Sequence, residues 1–162
     1  MIVGVHFPLF VSHMKYRSTR GQTTISFIEA LLSGYASDGG MILPEHIPRI
    51  DAEQLRAWRN LEYVDLCTTI CSLFVDEDEI NREDLRNIVR ESFKMFEEPT
   101  HGQIIPVLKA GDLFLAELFH GPTLAFKDLA LQFVGQLLVH TLENKEKVIL
   151  FNILTKSDEA CS

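Results

Sequence analysis

Positive charge is scarce in this chain of 162 residues, which has 15 lysines and arginines against 23 aspartates and glutamates and a net charge of −8. Nucleic-acid grooves and anionic membrane surfaces both require concentrated positive charge. We therefore expect no nucleic acid and no membrane as a principal partner. The hydrophobic fraction of 46% and the charged fraction of 23% are typical of a globular protein.

Cysteine is also scarce, and the three that occur are Cys67, Cys71 and Cys161. The odd number argues against a disulfide framework. Cys67 and Cys71 are four residues apart on a predicted helix, and neither has Cys or His partners at metal-ligand spacing. The sequence therefore predicts two buried free thiols, no metal site and a reducing, cytoplasmic compartment.

Residues 1–13, MIVGVHFPLFVSH, form an apolar N-terminal extension that lacks both a basic segment and a small-x-small cleavage site. The run is too short to span a bilayer and is interrupted by His6 and Pro8. Two interpretations stay open. The run could be a translated upstream extension, because Met14 opens the first coherent segment, or it could be a secretory signal, which would make the protein secreted.

Residues 14–103 are predicted to form a small, mostly helical unit. One helix should begin after Thr24 and end at Gly34, and Ala36–Pro48 should be an ordered turn and loop, with Gly39 and Gly40 adopting positive φ. Apolar residues at helical spacing predict three further helices, over Ala52–Arg59, from an Asn60 cap through Phe74, and from an Asn81 cap through Phe96. The acidic run Asp76–Glu79 is expected to be a solvated connection.

After Pro99 the pattern changes to short β-type runs. Ile104–Leu108 and Leu113–Phe119 predict a hairpin, Thr123 is a candidate N-cap for a long helix through Leu142, and Lys147–Leu154 predicts another strand. A strand–helix–strand order is typical of the start of an α/β domain.

The long helix contains one lysine, Lys127, in apolar surroundings. Apolar residues recur around it at helical spacing and predict the face that packs inward: Leu124, Leu131, Val134, Leu137 and Leu138. An amine buried beside such a face would lose hydration and favour its neutral form, which is a nucleophile toward an aldehyde. The alternative is that Lys127 extends to solvent, as most helix lysines do.

Three blocks in this order, YRSTRGQ (16–22), SGYASDGGMILPEHIP (33–48) and ELFHGPTLAFKDLALQ (117–132), resemble the threonine synthase family, including the threonine synthase-like proteins. The resemblance covers roughly Met14 to Lys147. It implies a fold-type-II pyridoxal-phosphate enzyme in which Lys127 is the lysine that binds the cofactor. It further implies elimination of phosphate from substrates such as O-phosphohomoserine or O-phosphothreonine, with or without water addition to give threonine.

The resemblance also implies roles for neighbouring residues. Lys127, Phe126 and Asp128 would bind the cofactor, and His120, Thr123 and Arg20 would shape the substrate pocket. Asp128 could orient the lysine or favour the first helical turn, and we prefer the second role. His120 is equally well explained as a hydrogen-bonded structural histidine.

The sequence departs from the family pattern in one important place. The family's S-G-D-T-G type of loop, which holds the cofactor phosphate, should follow the strand after the lysine helix, but no S-G-x-T-G occurs anywhere in the chain. We therefore interpret 104–147 as the start of a pyridoxal-phosphate domain and 148–162 as a divergent, truncated tail. Cofactor binding by this chain should be impaired, so enzymatic activity is left uncertain.

The predicted fold class is accordingly α/β: a small helical domain followed by the first strand–helix–strand portion of an incomplete domain of the tryptophan synthase β type. Two functions are kept open. The first is a short form of a phospho-lyase, and the second is a non-catalytic isoform that binds a partner or acts as a secreted, cytokine-like factor. The exposed truncated face should favour self-association.

Overall fold

The computed structural model describes residues 13–21, 24–97 and 103–143. The predictions made for residues 1–12, for Cys161, for the strand Lys147–Leu154 and for the tail 148–162 lie outside these residues. The described part has five helices and two small antiparallel sheets.

The first sheet has three short strands, β1 (Tyr16–Ser18), β2 (Thr24–Ile25) and β3 (Ile42–Pro44), in the order β2-β1-β3. Arg17 at the centre lies opposite Thr24 on one side and Leu43 on the other. The sequence did not predict this sheet, and the interpretation of Ala36–Pro48 as turn and loop alone is wrong because β3 lies inside it. Strands of two or three residues are too short to show the alternation that predicts a strand.

Helices α1 (Phe27–Ser33) and α2 (Ala52–Trp58) confirm their predictions closely. The Ser26 side chain accepts from the Glu29 amide, while the Glu29 carboxylate accepts from the Ser26 amide, so α1 begins with a capping box. Gly34 ends α1 with a φ of 66°. This conformation is accessible to glycine at little cost.

Helix α3 (Tyr63–Cys71) is shorter than predicted at both ends. Asn60 does not cap it, because the helix begins after Glu62, whose side chain makes no capping hydrogen bond. Leu73 and Phe74 belong to the turn that follows. Helix α4 (Arg82–Glu97) confirms the Asn81 cap, since Asn81 Oδ1 accepts from the Asp84 amide at 2.9 Å.

The acidic run Asp76–Glu79 is more than a solvated connection, and here the prediction is wrong. Asp76 Oδ1 accepts from the Met14 amide at 2.9 Å, at the start of the first sheet. The Glu79 carboxylate accepts from the Phe27 amide at 3.1 Å and from the Ile28 amide at 3.0 Å, at the start of α1. Two carboxylates of the run therefore tie distant parts of the small unit together.

The second sheet is the predicted hairpin, β4 (Val107–Ala110) paired with β5 (Leu113–Ala116). Gly111 makes its turn possible with a φ of 63°. All eight strand residues are exposed. The last described element is α5 (Lys127–Glu143).

The core lies between α4 and α5, with α1 and α3 packed around it. Its two clusters consist of these buried residues: Val75, Ile80, Leu85, Ile88 and Leu137 in the first, and Val89, Phe93, Phe96 and Ile104 in the second. Leu129 and Phe133 of α5 pack against the second cluster. Segments on both sides of the predicted boundary at residue 103 thus share one core, while the boundary itself stays a prediction. None of the described helices is both long and apolar enough to cross a bilayer.

Candidate functional site

Lys127 is the first residue of α5, and it is exposed. Of the two placements left open for this lysine, the described structure shows the second, a side chain that extends to solvent. Leu124 precedes the helix and is 74% exposed, and Leu131 and Val134 are also exposed, whereas Leu137 is 2% exposed. Periodicity identified residues that share a face, but only the second half of that face packs against α4.

The segment before Lys127 is a turn rather than the first turn of a helix. Thr123, the predicted N-cap, does not accept a capping bond but donates two bonds to Asp128. Its amide lies 2.8 Å from Asp128 Oδ2, and its hydroxyl lies 2.7 Å from Asp128 Oδ1. The Ala125 amide makes a longer contact to Oδ2 at 3.5 Å.

The Asp128 side chain is almost fully buried, with 2% of the residue exposed. Burial alone would raise the pKa of this carboxyl. The hydrogen bonds from the Thr123 hydroxyl, the Thr123 amide and the Ala125 amide outweigh burial and hold the pKa below its ordinary value. Asp128 is therefore an ionised acceptor for the turn that leads into the lysine.

His120 lies at the other end of the same turn and is paired with a residue that sequence reasoning missed. His120 Nε2 lies 2.7 Å from Glu117 Oε2, and both side chains are about one fifth exposed. The imidazole also lies against the Phe119 ring, with 4.6 Å between centroids. An acidic residue three positions before the histidine was the available signal for this pair.

Phe126 directly precedes the lysine and is 64% exposed. Its ring, the Leu124 side chain and the Lys127 amine are thus all accessible from solvent in the described structure. The site predicted around Lys127 is an open one, in which the turn is ordered but the side chains proposed to meet a ligand are uncovered.

The structure brings the first two sequence blocks together. The Ser18 hydroxyl donates to Asp38 Oδ1 at 2.7 Å, the Gly40 amide donates to the same oxygen at 2.9 Å, and the Arg20 amide donates to the Ser18 hydroxyl. The Ser18 and Gly40 hydrogen bonds, helped by the positive charge of Arg20, keep the pKa of Asp38 below its ordinary value.

Glycine serves two purposes in this turn. Gly39 has a φ of 74°, as predicted, but Gly40 does not have a positive φ. At Gly40 a Cβ would collide with the Ser18 hydroxyl, so it is close approach that requires glycine. Arg20 itself is exposed beside Gly39, in the part of the chain that carries the first sheet.

Cys67 and Cys71 are both free, as predicted, but are half-buried rather than fully buried. Their Sγ atoms lie 3.9 Å apart. The shared hydrogen bond and burial raise the pKa of the Cys71 thiol.

Among the described residues, His13, Asp76 and Asp78 form a cluster with ligand atoms within 4.8 Å of one another. Because Asp76 already accepts from the Met14 amide and contacts His13, we assign no metal role to it.

Comparisons with known proteins agree with this arrangement. Residues 15–93 match the family described as threonine synthase N terminus. Threonine synthase-like 2 of Xenopus laevis is 41% identical over 152 residues, which are 92% of this chain and 31% of that protein. The threonine synthase of Pseudomonas aeruginosa is 41% identical over 140 residues, which are 85% of this chain and 29% of that protein.

A solved structure shows the same similarity in three dimensions. The PLP-bound threonine synthase from Brucella melitensis has a TM-score of 0.76 and 39% identity, over 83% of this chain and 28% of that one. The chain therefore spans less than a third of the length of these relatives. Its α/β arrangement matches the N-terminal part of threonine synthase. This chain belongs to the threonine synthase family.

Proposed function

We propose that this chain carries the lysine segment of a pyridoxal-phosphate-dependent phospho-lyase. Its substrate would be a small phosphorylated amino acid of the O-phosphohomoserine or O-phosphothreonine type, and water addition after elimination would give threonine. The observation that carries the proposal is the exposed Lys127 at the first residue of α5, inside HGPTLAFKD, in a member of the threonine synthase family. We also propose that the described fold is the beginning of a fold-type-II domain.

The residues present fit the aldehyde end of pyridoxal phosphate. An accessible amine is the group that binds an aldehyde, and Lys127 offers one at the end of an ordered turn. Phe126 offers an exposed ring beside it. Fewer hydrogen-bond donors are offered to the phosphate end, because the sequence contains no S-G-x-T-G loop. Each missing charge-assisted hydrogen bond is worth about 1.5–3 kcal/mol, so we propose that this chain by itself holds the cofactor weakly.

Bound pyridoxal phosphate supplies an electron sink for the carbanion that forms when the substrate loses a proton from carbon. The Lys127 amine would take that proton and return one later in the reaction. The carbon–oxygen bond would then break: phosphate would leave with the electron pair of that bond, and the electron pair left by the proton would form a carbon–carbon double bond. Phe126 and Leu124 would lie beside the reacting atoms, and Arg20 would meet the anionic substrate. The pairing with Glu117 fixes His120, which supports a structural role for that ring.

The proposal is tested by incubating the purified chain with a small excess of pyridoxal phosphate, reducing with borohydride and mapping the pyridoxyl mass by peptide. Label concentrated at Lys127, with little at Lys109, which is also exposed, would support it. Lys127→Arg should abolish the concentrated label and leave the weak background at Lys109 unchanged. Equal labelling of the two lysines in the wild-type chain would refute a specific cofactor site.

A second function, in which the chain binds a partner, is favoured by one specific observation. Both strands of the hairpin expose apolar side chains, with Leu113 73% and Phe114 76% exposed. An isolated two-stranded hairpin is marginally stable in water, and a strand edge without charge is a template for pairing. The sequence of β5, LFLA, carries no charge and no proline, so two copies could pair antiparallel around a twofold axis. We propose self-association of the chain through this edge.

Sedimentation at several protein concentrations tests the second proposal. Phe114→Lys, on β5, should lower the average mass toward that of a single chain. Met95→Lys is the matched control, because Met95 is an exposed apolar residue of α4 and should leave the mass unchanged. A wild-type chain that stays monomeric up to about 100 µM would exclude this mode of association, since its free energy would then be weaker than about 5.5 kcal/mol.

The compartment is proposed from cysteine chemistry. Free thiols at Cys67 and Cys71, 3.9 Å apart, are stable in a reducing environment, which supports a cytoplasmic location. Fractionation of cells that express the full chain would test it, and appearance of the chain in the medium would support the secreted alternative.

A further inference from the structure

The turn between β5 and α5 is held by a residue that follows it in sequence. The Asp128 carboxylate reaches back over the start of α5 and accepts from the amide and hydroxyl of Thr123, five residues earlier. An aspartate that only favoured the helix dipole would point toward the amides of its own first turn or toward water. Here both carboxylate oxygens are used by the preceding turn, and the residue is 2% exposed.

Gly121 completes the packing of the same turn. A Cβ at this position would lie 2.5 Å from Asp128 Oδ2, which is closer than nonbonded atoms approach. The Gly121 carbonyl oxygen accepts from the Leu124 amide at 3.0 Å, so the turn is closed at both its ends. Glycine at 121 is therefore needed for the buried carboxylate to occupy its place, although the backbone φ at 121 is not positive.

The backbone of the turn is one that an unconstrained leucine rarely adopts. Leu124 has a φ of 59°, the only positive φ at a non-glycine residue in the described parts of the chain. Its side chain is exposed and so cannot hold the backbone in this conformation. The bonds on either side of it, from Thr123 and Ala125 to Asp128, are the interactions that do so.

We propose that Asp128 is a positioning residue, which together with Gly121 locks the turn of residues 121–125 and thereby fixes where the Lys127 amine begins α5. The inference rests on the proposed function of Lys127 and deepens it. Asp128 touches the turn and acts on the lysine only through the backbone. Without the carboxylate, Leu124 would relax to negative φ, and Lys127 would sample several positions instead of one.

The experiment has one readout that needs no cofactor. Amide hydrogen exchange of residues 121–127 is measured in the wild-type chain, in Asp128→Asn and in Asp112→Asn, a matched control in the exposed hairpin turn. Asp128→Asn should speed exchange in 121–127 by about tenfold or more, since one charge-assisted hydrogen bond is lost, while exchange in α4 stays unchanged. Asp112→Asn should leave both segments unchanged.

The second readout is the ratio of pyridoxyl label at Lys127 to label at Lys109, which should fall about tenfold in Asp128→Asn. Thr123→Val should lower the ratio, and Thr123→Ser, which keeps the hydroxyl donor, should restore it. If Asp128→Asn does not fold, the Thr123 pair still decides the matter, because Thr123 is exposed and its substitution should leave the core intact.

The outcomes separate the two proposals. Faster exchange with a lowered label ratio supports positioning. Unchanged exchange in 121–127 overturns it, and so does faster exchange with an unchanged ratio when the wild-type label is concentrated at Lys127. Faster exchange in a chain whose wild-type label is already unselective supports the lock on the turn and overturns the cofactor function instead.

Discussion

Glu79 is expected to stabilise α1 from outside the helix, so removing its carboxylate should lower the free energy of unfolding. The first amides of a helix have no partner within it. In α1 the third of them, that of Glu29, is bonded by Ser26, whereas the first two, those of Phe27 and Ile28, donate to Glu79. Glu79→Ala deletes both acceptors at once and leaves the helix start to water.

The magnitude follows from the number and kind of these bonds. A hydrogen bond to a charged group contributes about 1.5–3 kcal/mol when buried, and a carboxylate near a helix start adds about 0.3–1 kcal/mol. Glu79 is only half-buried, so water replaces part of what is lost. We expect Glu79→Ala to lower the free energy of unfolding by about 2 kcal/mol, and Glu79→Gln, which retains one acceptor, by about half as much.

Urea unfolding followed by circular dichroism measures this difference directly. Glu77→Ala is the matched control, because Glu77 is an exposed residue of the same acidic run and should change stability by less than about 0.5 kcal/mol. If Glu79→Ala and Glu77→Ala cost the same, the two hydrogen bonds carry no net stabilisation. The acidic run would then be the solvated connection that its composition suggests.

Three further predictions concern the core and the titrating groups. Phe96→Ala should lower the free energy of unfolding in urea by about 3–5 kcal/mol, because Phe96 is 0% exposed. Met95→Ala, at an exposed neighbouring residue, should lower it by less than about 0.5 kcal/mol, and similar values for the two variants would contradict the assignment of Phe96 to the core. Burial raises the pKa of Tyr16 to about 12, and its hydroxyl donates to the Phe74 carbonyl. The stability that the protonated hydroxyl contributes is therefore fully present below pH 10 and is lost as pH rises toward 12. Tyr16→Phe should remove this loss of stability at alkaline pH. If the dependence of unfolding free energy on pH is the same in Tyr16→Phe as in the wild type, ionisation of Tyr16 is not its cause. The pKa of Asp128 is lower in the folded state than its ordinary carboxyl value. The stability that its carboxylate contributes is therefore present above the ordinary pKa and is lost only as pH falls through the lower, folded-state pKa, so amide hydrogen exchange in 121–127 should stay slow down to about pH 4.

Local chemistry made several elements predictable from sequence. Gly34 and Asn81 mark the end of α1 and the start of α4 because each satisfies helix-terminal groups within a few residues. The hairpin followed from two β-type runs around Gly111. These signals are carried by neighbours in the chain, so no tertiary information was needed.

The candidate site was harder to predict, because it depends on where α5 begins and on what packs against that helix. Thr123 and Asp128 are only five residues apart, but the helix begins after Thr123, so this threonine donates to Asp128 instead of accepting a capping bond. Helical spacing predicted that Leu124 and Leu137 share one buried face. The helix begins after Leu124, which is exposed, and only Leu137 is buried. The family motif predicts a site in this segment, but the exposure of Lys127 depends on what packs over it, and the spacing of residues in the sequence does not indicate that.

The core shared by α4 and α5 bears on how such proteins can be recombined. The match to the threonine synthase N terminus ends at Phe93, inside α4 and within the second cluster. A crossover between two homologous genes at that position would set the α4 side chains of one parent against Leu129 and Phe133 of the other. Well-packed interiors tolerate such mismatches poorly. The lysine segment and the helical unit before it should therefore pass between lineages as one block.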